Sequence, residues 1–325
     1  MKTIPIPHTN LKVSQLCLGC MDLAGRFQKV ALSAEHEAQA RAFLDTAEEI
    51  GANFFDHANI YAHGRAEEVF GRILRERPSL RDRIVLQSKA GIRWTDNPPG
   101  TPMRYDFSKE HLIEAVEGSL KRLSTDHLDI LLLHRPDPLW EAEEIARAFE
   151  TLKRAGKVRH FGVSNQNRFQ MEHLQRHLPE PLVVNQLEMN LLHHGFAEAH
   201  ITFNQRSPRY PDGWEGVLEY CKDQGVLLQA WRPLAQGYLS GRSLEGQPEV
   251  VAKTAKKVAE LSEKHKVNRE AIVIAWLLRH PSGIQPVLGT IRPERLRACA
   301  QALEVELSRV EWYELFAAAR GEQMP

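Results

Sequence analysis

Four side chains in the first half of this chain are of the types that move a proton: Asp56, Tyr61, Lys89 and His134. Three of them end short apolar runs. Phe54-Phe55 stops at Asp56, Ile84-Val85-Leu86-Gln87-Ser88 stops at Lys89, and Leu128-Asp129-Ile130-Leu131-Leu132-Leu133 stops at His134. Tyr61 lies just past the first run. A strand buried on both faces reads as a continuous apolar run, and its last side chains point into the mouth of the fold. A carboxylate at such an edge is costly unless a cation meets it, and Lys89 is a candidate. A phenol with an ordinary pKa of about 10 is a poor acid at neutral pH. A neighbouring ammonium favours the phenolate and lowers that pKa, and a carboxylate keeps the ammonium charged. An imidazole adds a donor that can orient a carbonyl oxygen. Together the four are equipped to deliver a proton to an oxygen as it becomes an alkoxide. Singly each has a plainer role: Asp56 with Lys89 as a structural ion pair, His134 as a core histidine, Tyr61 as packing.

Such an arrangement needs parallel strands whose C-terminal ends meet. The sequence supplies eight apolar strand candidates, at 15–18, 53–55, 84–87, 128–133, 158–162, 182–185, 226–230 and 284–288. Helical patterns alternate with them at 33–49, 66–75, 108–123, 141–155, 169–177, 214–223 and 293–302. Strict alternation implies parallel strands joined by helical crossovers. Eight units fit a closed (β/α)₈ TIM barrel, an α/β fold, better than an open sheet. A small β-hairpin around His8-Thr9-Asn10 precedes it, and an extra C-terminal helix at 308–319 follows. Residues 190–212 (polar, His-rich) and 234–261 (a Gly-rich loop that turns helical) break the rhythm. Nothing reads as a linker, so 1–325 is expected to be a single domain. Read in order, the strand ends are Cys20-Met21, Asp56, Lys89, His134, Ser164-Asn165, Gln186, Trp231-Arg232 and Gly289-Thr290. Polar ends on greasy strands are where a barrel enzyme carries its chemistry.

Composition removes several function classes. The 42 basic and 42 acidic residues balance, so no bulk attraction to nucleic acid or anionic membrane is implied. No apolar run reaches the roughly 18 residues of a membrane helix, and no signal-peptide core opens the chain. Four cysteines in 325 residues make no disulfide framework, and a cytoplasmic location is expected. Cys17-Leu18-Gly19-Cys20 has redox spacing, but Cys17 sits inside a strand-like run rather than at a helix N-terminus. His57, His63, His193, His194 and His200 lack metal-ligand spacing, so no metal is expected. There is no G-x-G-x-x-G after a strand. Gly241 to Gly246 has P-loop spacing, but Gln247-Pro248 follows it in place of Lys-Ser/Thr.

The chain resembles the aldo-keto reductase family, in the branch of short bacterial oxidoreductases and potassium-channel β-subunit-like proteins. The matching motifs include Leu18-Gly19-Cys20-Met21, Phe55-Asp56-His57-Ala58-Asn59-Ile60-Tyr61, Ser88-Lys89, Leu132-Leu133-His134-Arg135-Pro136-Asp137, Val163-Ser164-Asn165, Asn185-Gln186 and Gly289-Thr290. The resemblance implies a catalytic tetrad of Asp56, Tyr61, Lys89 and His134, and an NADP(H) cofactor lying across the barrel mouth. Ser164, Asn165 and Gln186 match the side chains that hold its carboxamide, and Trp231 the aromatic that stacks on nicotinamide. Gly289, Thr290, Arg292 and Arg295 match the segment that takes the 2′-phosphate and pyrophosphate. Gly19, Cys20, Met21, Asp56, Arg232, Pro233 and Leu234 complete the cofactor positions. Three departures stand out: Arg232 where many members have Ser, Cys299 where Asn often touches adenine, and Met21-Asp22 where Trp is common. The expectation is an NADPH-dependent oxidoreductase that reduces aldehyde or ketone carbonyls to alcohols, with Tyr61 as proton donor and a small-molecule carbonyl as partner. An NADP(H)-binding redox-sensing protein with weak turnover is the alternative. A Schiff-base role for Lys89 is disfavoured, because Asp56 keeps its amine protonated.

Overall fold

The computed structural model describes residues 1–25, 31–204 and 213–325. The antiparallel hairpin β1 (Thr3–Pro5) and β2 (Lys12–Ser14) comes first. Next are β3 (Cys17–Gly19), β4 (Phe54–Asp56) and β5 (Val85–Ala90), then a short antiparallel pair, β6 (Ile92–Arg93) and β7 (Arg104–Tyr105). β8 (Leu128–Leu133), β9 (Val158–Ser164), β10 (Val184–Glu188), β11 (Leu227–Trp231) and β12 (Gln285–Leu288) complete the strands. Strands β3, β4, β5 and β8 to β12 are parallel neighbours in a closed barrel, with β12 pairing back onto β3. The expected TIM barrel is therefore present, with its N-terminal hairpin.

The surrounding helices are α1 (Ala34–Ile50), α2 (Arg65–Glu76), α3 (Lys109–Leu123), α4 (Ala142–Arg154), α5 (Arg168–Gln175), α6 (Gly195–Thr202), α7 (Val217–Asp223), α8 (Glu249–His265), α9 (Arg269–Leu278), α10 (Pro293–Ala300) and α11 (Arg309–Arg320). Serine N-caps start several of them. Ser33, Ser108 and Ser308 each accept a backbone N–H from the third residue of their helix. Two helices were not legible. α6 lies in the 190–212 segment, of which residues 205–212 fall outside the described residues. α9 carries Ala271 to Leu277 buried as a continuous run, so it shows no amphipathic period. α11 is the expected final helix. Its Trp312 stacks on Trp276 of α9 at 5.1 Å, and each indole donates to the other residue's carbonyl.

Strand periodicity divides the barrel interior into levels. Cys17, Phe54, Val85, Ile130, Val184, Leu227 and Val287 form one inner apolar cluster, which the hairpin's Ile6 and Val13 join from below. Two residues further along their strands, the same inward rows carry Asp56, Gln87, Gln186 and Gln229, all buried. Their outward neighbours Phe55, Leu86, Leu187 and Leu228 belong to the cluster shared with the helices. The polar residues of the mouth thus rest on a dry floor.

Candidate active site

The chain leaving β4 stays stitched to β5. His57 donates its backbone N–H to the Gln87 carbonyl at 2.8 Å, and Asn59 to the Lys89 carbonyl at 3.1 Å. A 3-10 turn, Tyr61–Gly64, follows, in which Ala62 and His63 adopt left-handed φ of 49° and 56°. Non-glycine residues in that region carry strain that the surroundings must hold, a common feature of functional sites. The turn brings the Tyr61 hydroxyl to 2.9 Å from Lys89 Nζ.

Lys89 has all three of its N–H donors engaged: to Asp56 Oδ2 at 2.7 Å, to the His57 carbonyl at 2.9 Å, and to Tyr61. Asp56 Oδ1 accepts from Gln87 Nε2 at 2.7 Å and from Gln186 Nε2 at 3.1 Å. The ion pair is almost dry, with 1% of the Lys89 side chain and 3% of the Asp56 side chain exposed. The His134 ring meets the Tyr61 ring edge-on at 6.0 Å between centroids. All four residues of the tetrad are therefore brought together.

Their environments set their protonation. Burial works against the Lys89 ammonium, but Asp56 and then Tyr61 outweigh it and hold the pKa above the ordinary lysine value. Burial pushes the Tyr61 phenol up by more than the Lys89 ammonium pulls it down. This corrects the expectation of a lowered phenol pKa: in the dry mouth, desolvation of the phenolate wins. Burial, then Lys89 and Arg135, drives His134 well below its usual value, so its imidazole is neutral at pH 7. His57 is driven down to about 3, by burial and then by Lys89. It lies edge-on to Phe70 at 4.7 Å, on the helix side of the barrel wall.

The residues matched to the carboxamide and ring contacts also cluster. Ser164 Oγ donates to the Gln186 carbonyl at 2.8 Å. Asn165, at φ 59°, donates its amide to the His134 carbonyl at 3.1 Å and accepts the Trp231 indole N–H at 3.1 Å. The Trp231 ring has the guanidinium carbons of Arg135 and Arg232 5.3 and 5.2 Å from its centre. Arg232, at φ 52°, also lies 3.7 Å from Glu188. Pro233 and Leu234 are buried beneath this edge.

On the phosphate side Gly289 is exposed, and a Cβ placed there would meet nothing within 4 Å. Thr290 Oγ1 accepts the backbone N–H of Arg292, the exposed residue that caps α10. Arg295 is already committed, to Glu270 at 3.2 Å and Ser240 at 3.0 Å. The two arginines expected to share one phosphate are thus in unequal states. Gly19 and Cys20 are fully buried, and Met21 is half-buried. Cys17 belongs to the inner cluster and Cys20 to the outer one, and burial raises both thiol pKa values. Cys299 is likewise buried, its thiol pushed up to about 12.

Gln87, Gln229 and Gln285 carried no assigned role in the sequence reading. The available signal was one inward-facing amide in each of three strands, in otherwise apolar β11 and β12 and just ahead of Ser88-Lys89 in β5.

Comparison with known proteins identifies the family. Residues 15–319 match the Aldo/keto reductase family. The chain is 36% identical to a 6-dehydroglucose reductase of Agrobacterium fabrum, over 88% of this chain and 90% of that one. It is 35% identical to the uncharacterized oxidoreductase YcsN of Bacillus subtilis, over 89% of this chain and 91% of that one. A crystal structure of a thermostable aldo-keto reductase in complex with the inhibitor epalrestat superposes with a TM-score of 0.74 at 26% identity, covering 98% of this chain and 100% of that one. The chain belongs to the aldo/keto reductase family of oxidoreductases.

Proposed function

We propose that the protein reduces aldehyde or ketone carbonyls to alcohols with NADPH, and that Tyr61 hands the proton to the carbonyl oxygen. The observation that carries this reading is the unbroken chain from Asp56 through Lys89 to the Tyr61 hydroxyl, with contacts of 2.7 and 2.9 Å. Of the two candidate acids, His134 is the weaker, because burial, then Lys89 and Arg135, keep its imidazole neutral, and a neutral imidazole yields its remaining ring proton less readily than a phenol. Tyr61 keeps its proton at neutral pH, and Lys89 stabilises the negative charge left once the proton has gone. A neutral His134 can still donate one N–H to the substrate oxygen and fix its direction.

The residues present fit a nicotinamide cofactor. Trp231 offers an indole at the mouth, held by Asn165. The Gln186 amide nitrogen is spent on Asp56 and Gln229, which leaves its oxygen to accept from a carboxamide. The open surface at Gly289 and the exposed Arg292 at the N-cap position of α10 put a cation beside the positive end of the helix, a favourable place for phosphate. When bound, NADPH supplies the hydride. The protein's tasks are to orient the carbonyl and manage the proton.

The relative that acts on 6-dehydroglucose makes sugar aldehydes a sensible arm of the substrate panel. The test is NADPH oxidation across aldehydes, ketones and sugar aldehydes, for the wild type and Tyr61→Phe. Tight NADPH binding without turnover on any substrate would overturn the reductase reading and favour a redox-sensing role.

A further inference from the structure

The interior of the barrel contains a run of four buried amides, of which only Gln186 is among the cofactor positions. Gln285 Nε2 donates to the Ser14 carbonyl at 2.7 Å, and its Oε1 accepts from Gln229 Nε2 at 2.9 Å. Gln229 Oε1 in turn accepts from Gln87 Nε2 and from Gln186 Nε2, both at 2.9 Å. Those two nitrogens use their remaining hydrogens on Asp56 Oδ1. All four glutamines are 2% exposed or less.

Such a chain has a direction. A glutamine amide can be turned over in place, so a single buried amide says little about which end faces where. Here both ends of the chain are acceptors with no proton to give: a backbone carbonyl at one end and a carboxylate at the other. If Ser14 O is to be satisfied, Gln285 must turn its nitrogen outward and its oxygen towards Gln229. Gln229 must then turn its oxygen towards Gln87 and Gln186, and these must offer both amide hydrogens. The two acceptor ends agree on one direction for every amide, and the result is two N–H groups aimed at one oxygen of Asp56. The strand register supports the layer, because Gln186 pairs with Gln229, Gln229 with Gln285, and Asp56 with Gln87. Turning any one amide over would bring two oxygens together in a dry interior, which is costly.

We infer that Gln229 is a positioning residue for proton transfer: by directing the Gln87 and Gln186 amides onto Asp56 it fixes the carboxylate that holds Lys89 against Tyr61. This rests on the reading of Tyr61 as the proton donor. Gln229 touches none of the reacting atoms. Its influence passes through Asp56 Oδ1, and the Oδ2 of the same carboxylate grips Lys89. With the amides free to turn, Asp56 rotates and Lys89 loses its fixed place 2.9 Å from the phenol. A network that served stability alone would not couple to Tyr61.

The test compares Gln87→Met, Gln229→Met and Gln285→Met, each of similar length and each removing one amide. All three leave buried polar partners unmatched, so all three should lower the melting temperature by comparable amounts. The expected kcat losses are graded: on the order of tenfold or more for Gln87→Met and Gln229→Met, and smaller for Gln285→Met. KM for the carbonyl and the dissociation constant for NADPH should stay within about twofold in Gln229→Met and Gln285→Met, which spare the mouth.

A second readout needs neither cofactor nor turnover. Tyrosinate absorbance is titrated in the cofactor-free protein, with Tyr61→Phe subtracted to isolate Tyr61. The charged and titratable groups around the phenol are Lys89 of β5, Asp56 of β4, Cys20 beyond β3, His134 beyond β8 and His57 in the adjoining loop. Of these, Lys89 lowers the Tyr61 pKa most strongly, so its displacement should move the Tyr61 titration to higher pH in Gln229→Met. Should Gln229→Met not fold, Gln285→Met carries the same titration from the far end of the chain. A kcat that simply tracks the melting temperature across the variants, or an unmoved Tyr61 titration, overturns the inference. Undiminished turnover in Tyr61→Phe would instead overturn the assignment of the proton donor.

Discussion

Lys89→Met tests the centre of the site most directly, because it removes the ammonium and nearly preserves the side-chain volume. The parent lysine makes three short contacts, of 2.7, 2.9 and 2.9 Å, in a place where 1% of it is exposed. Removing one partner of a buried ion pair costs about 3–5 kcal/mol, because the other charge stays behind without compensation. Asp56 Oδ1 keeps its two amide donors, so the lower half of that range applies, about 3–4 kcal/mol. At roughly 2 °C per kcal/mol for a chain of this size, the melting temperature should fall by about 6–8 °C. Turnover should fall by at least ~10²-fold, the range general acid catalysis contributes, since the phenolate loses its cation.

The pH dependence of that stability difference follows from Lys89, whose pKa is higher in the folded protein than in the unfolded chain. Above the ordinary lysine value of about 10.4 the unfolded chain sheds this proton while the folded protein keeps it. The folded state then binds more protons than the unfolded state, and stability falls as pH rises. The contribution is fully present at pH 7–9 and wanes above about 10. The gap between wild type and Lys89→Met should therefore be constant from pH 7 to 9 and narrow in more alkaline buffer. Calorimetric or fluorescence-monitored melts of both proteins across that range provide the measurement. An Lys89→Met protein that melts with the wild type at pH 7 would refute the claim that Asp56 depends on Lys89.

Tyr61→Phe should reduce kcat by ~10²-fold or more with NADPH affinity nearly unchanged, read by steady-state rates and a fluorescence titration. Because His134 and His57 are both neutral well above their lowered pKa values, the reduction rate should show no limb near the ordinary histidine pKa of about 6.5; a limb there that disappears in His134→Gln would contradict this. Arg292→Ala should weaken NADPH by roughly 1.5–3 kcal/mol while sparing NADH, and Arg295→Ala should weaken NADPH less but lower the melting temperature, since Arg295 already pairs with Glu270. Gly71→Ala should destabilise the fold by several kcal/mol, about 3 or more, because a Cβ there would fall 2.0 Å from the Arg122 carbonyl where α2 meets the end of α3. A melt that matches the wild type would count against that packing.

Much of the barrel could be read from the chain because parallel strands buried on both faces announce themselves as apolar runs. The run at 128–133 coincides with β8, the run at 84–87 begins one residue before β5 and stops three short of its end, and Lys89 and His134 beyond them do reach the mouth. Elements without a two-faced pattern escaped. α9 is apolar on every side and could not be told from a buried strand by period, and α6 is too short to show one. The tetrad was legible because its members sit at strand ends. The sign of the Tyr61 shift was not, because burial is a property of the assembled mouth and outweighs the one charge that the sequence made visible.

The amide chain marks a different limit. Gln87, Gln229 and Gln285 stand 142 and 56 residues apart in the contacts that join them, so no window on the sequence could associate them. What the strands did show was a polar side chain at an inward position, where a satisfied amide network or a cavity of water is needed. The closed barrel supplies the first for every amide nitrogen of the layer, while Gln87 Oε1 stays buried without a partner. The parallel register sets Gln186 beside Gln229 and Gln229 beside Gln285, so each amide finds the next at hydrogen-bond distance. The same closure lets a backbone carbonyl beneath the barrel orient a carboxylate at its mouth. A barrel interior filled with aliphatic side chains at this level would pack as well, but Asp56 Oδ1 would then have no donor. The buried polarity of this layer is therefore explained by the charge it supports, and the apolar floor below it keeps water from competing for the same bonds.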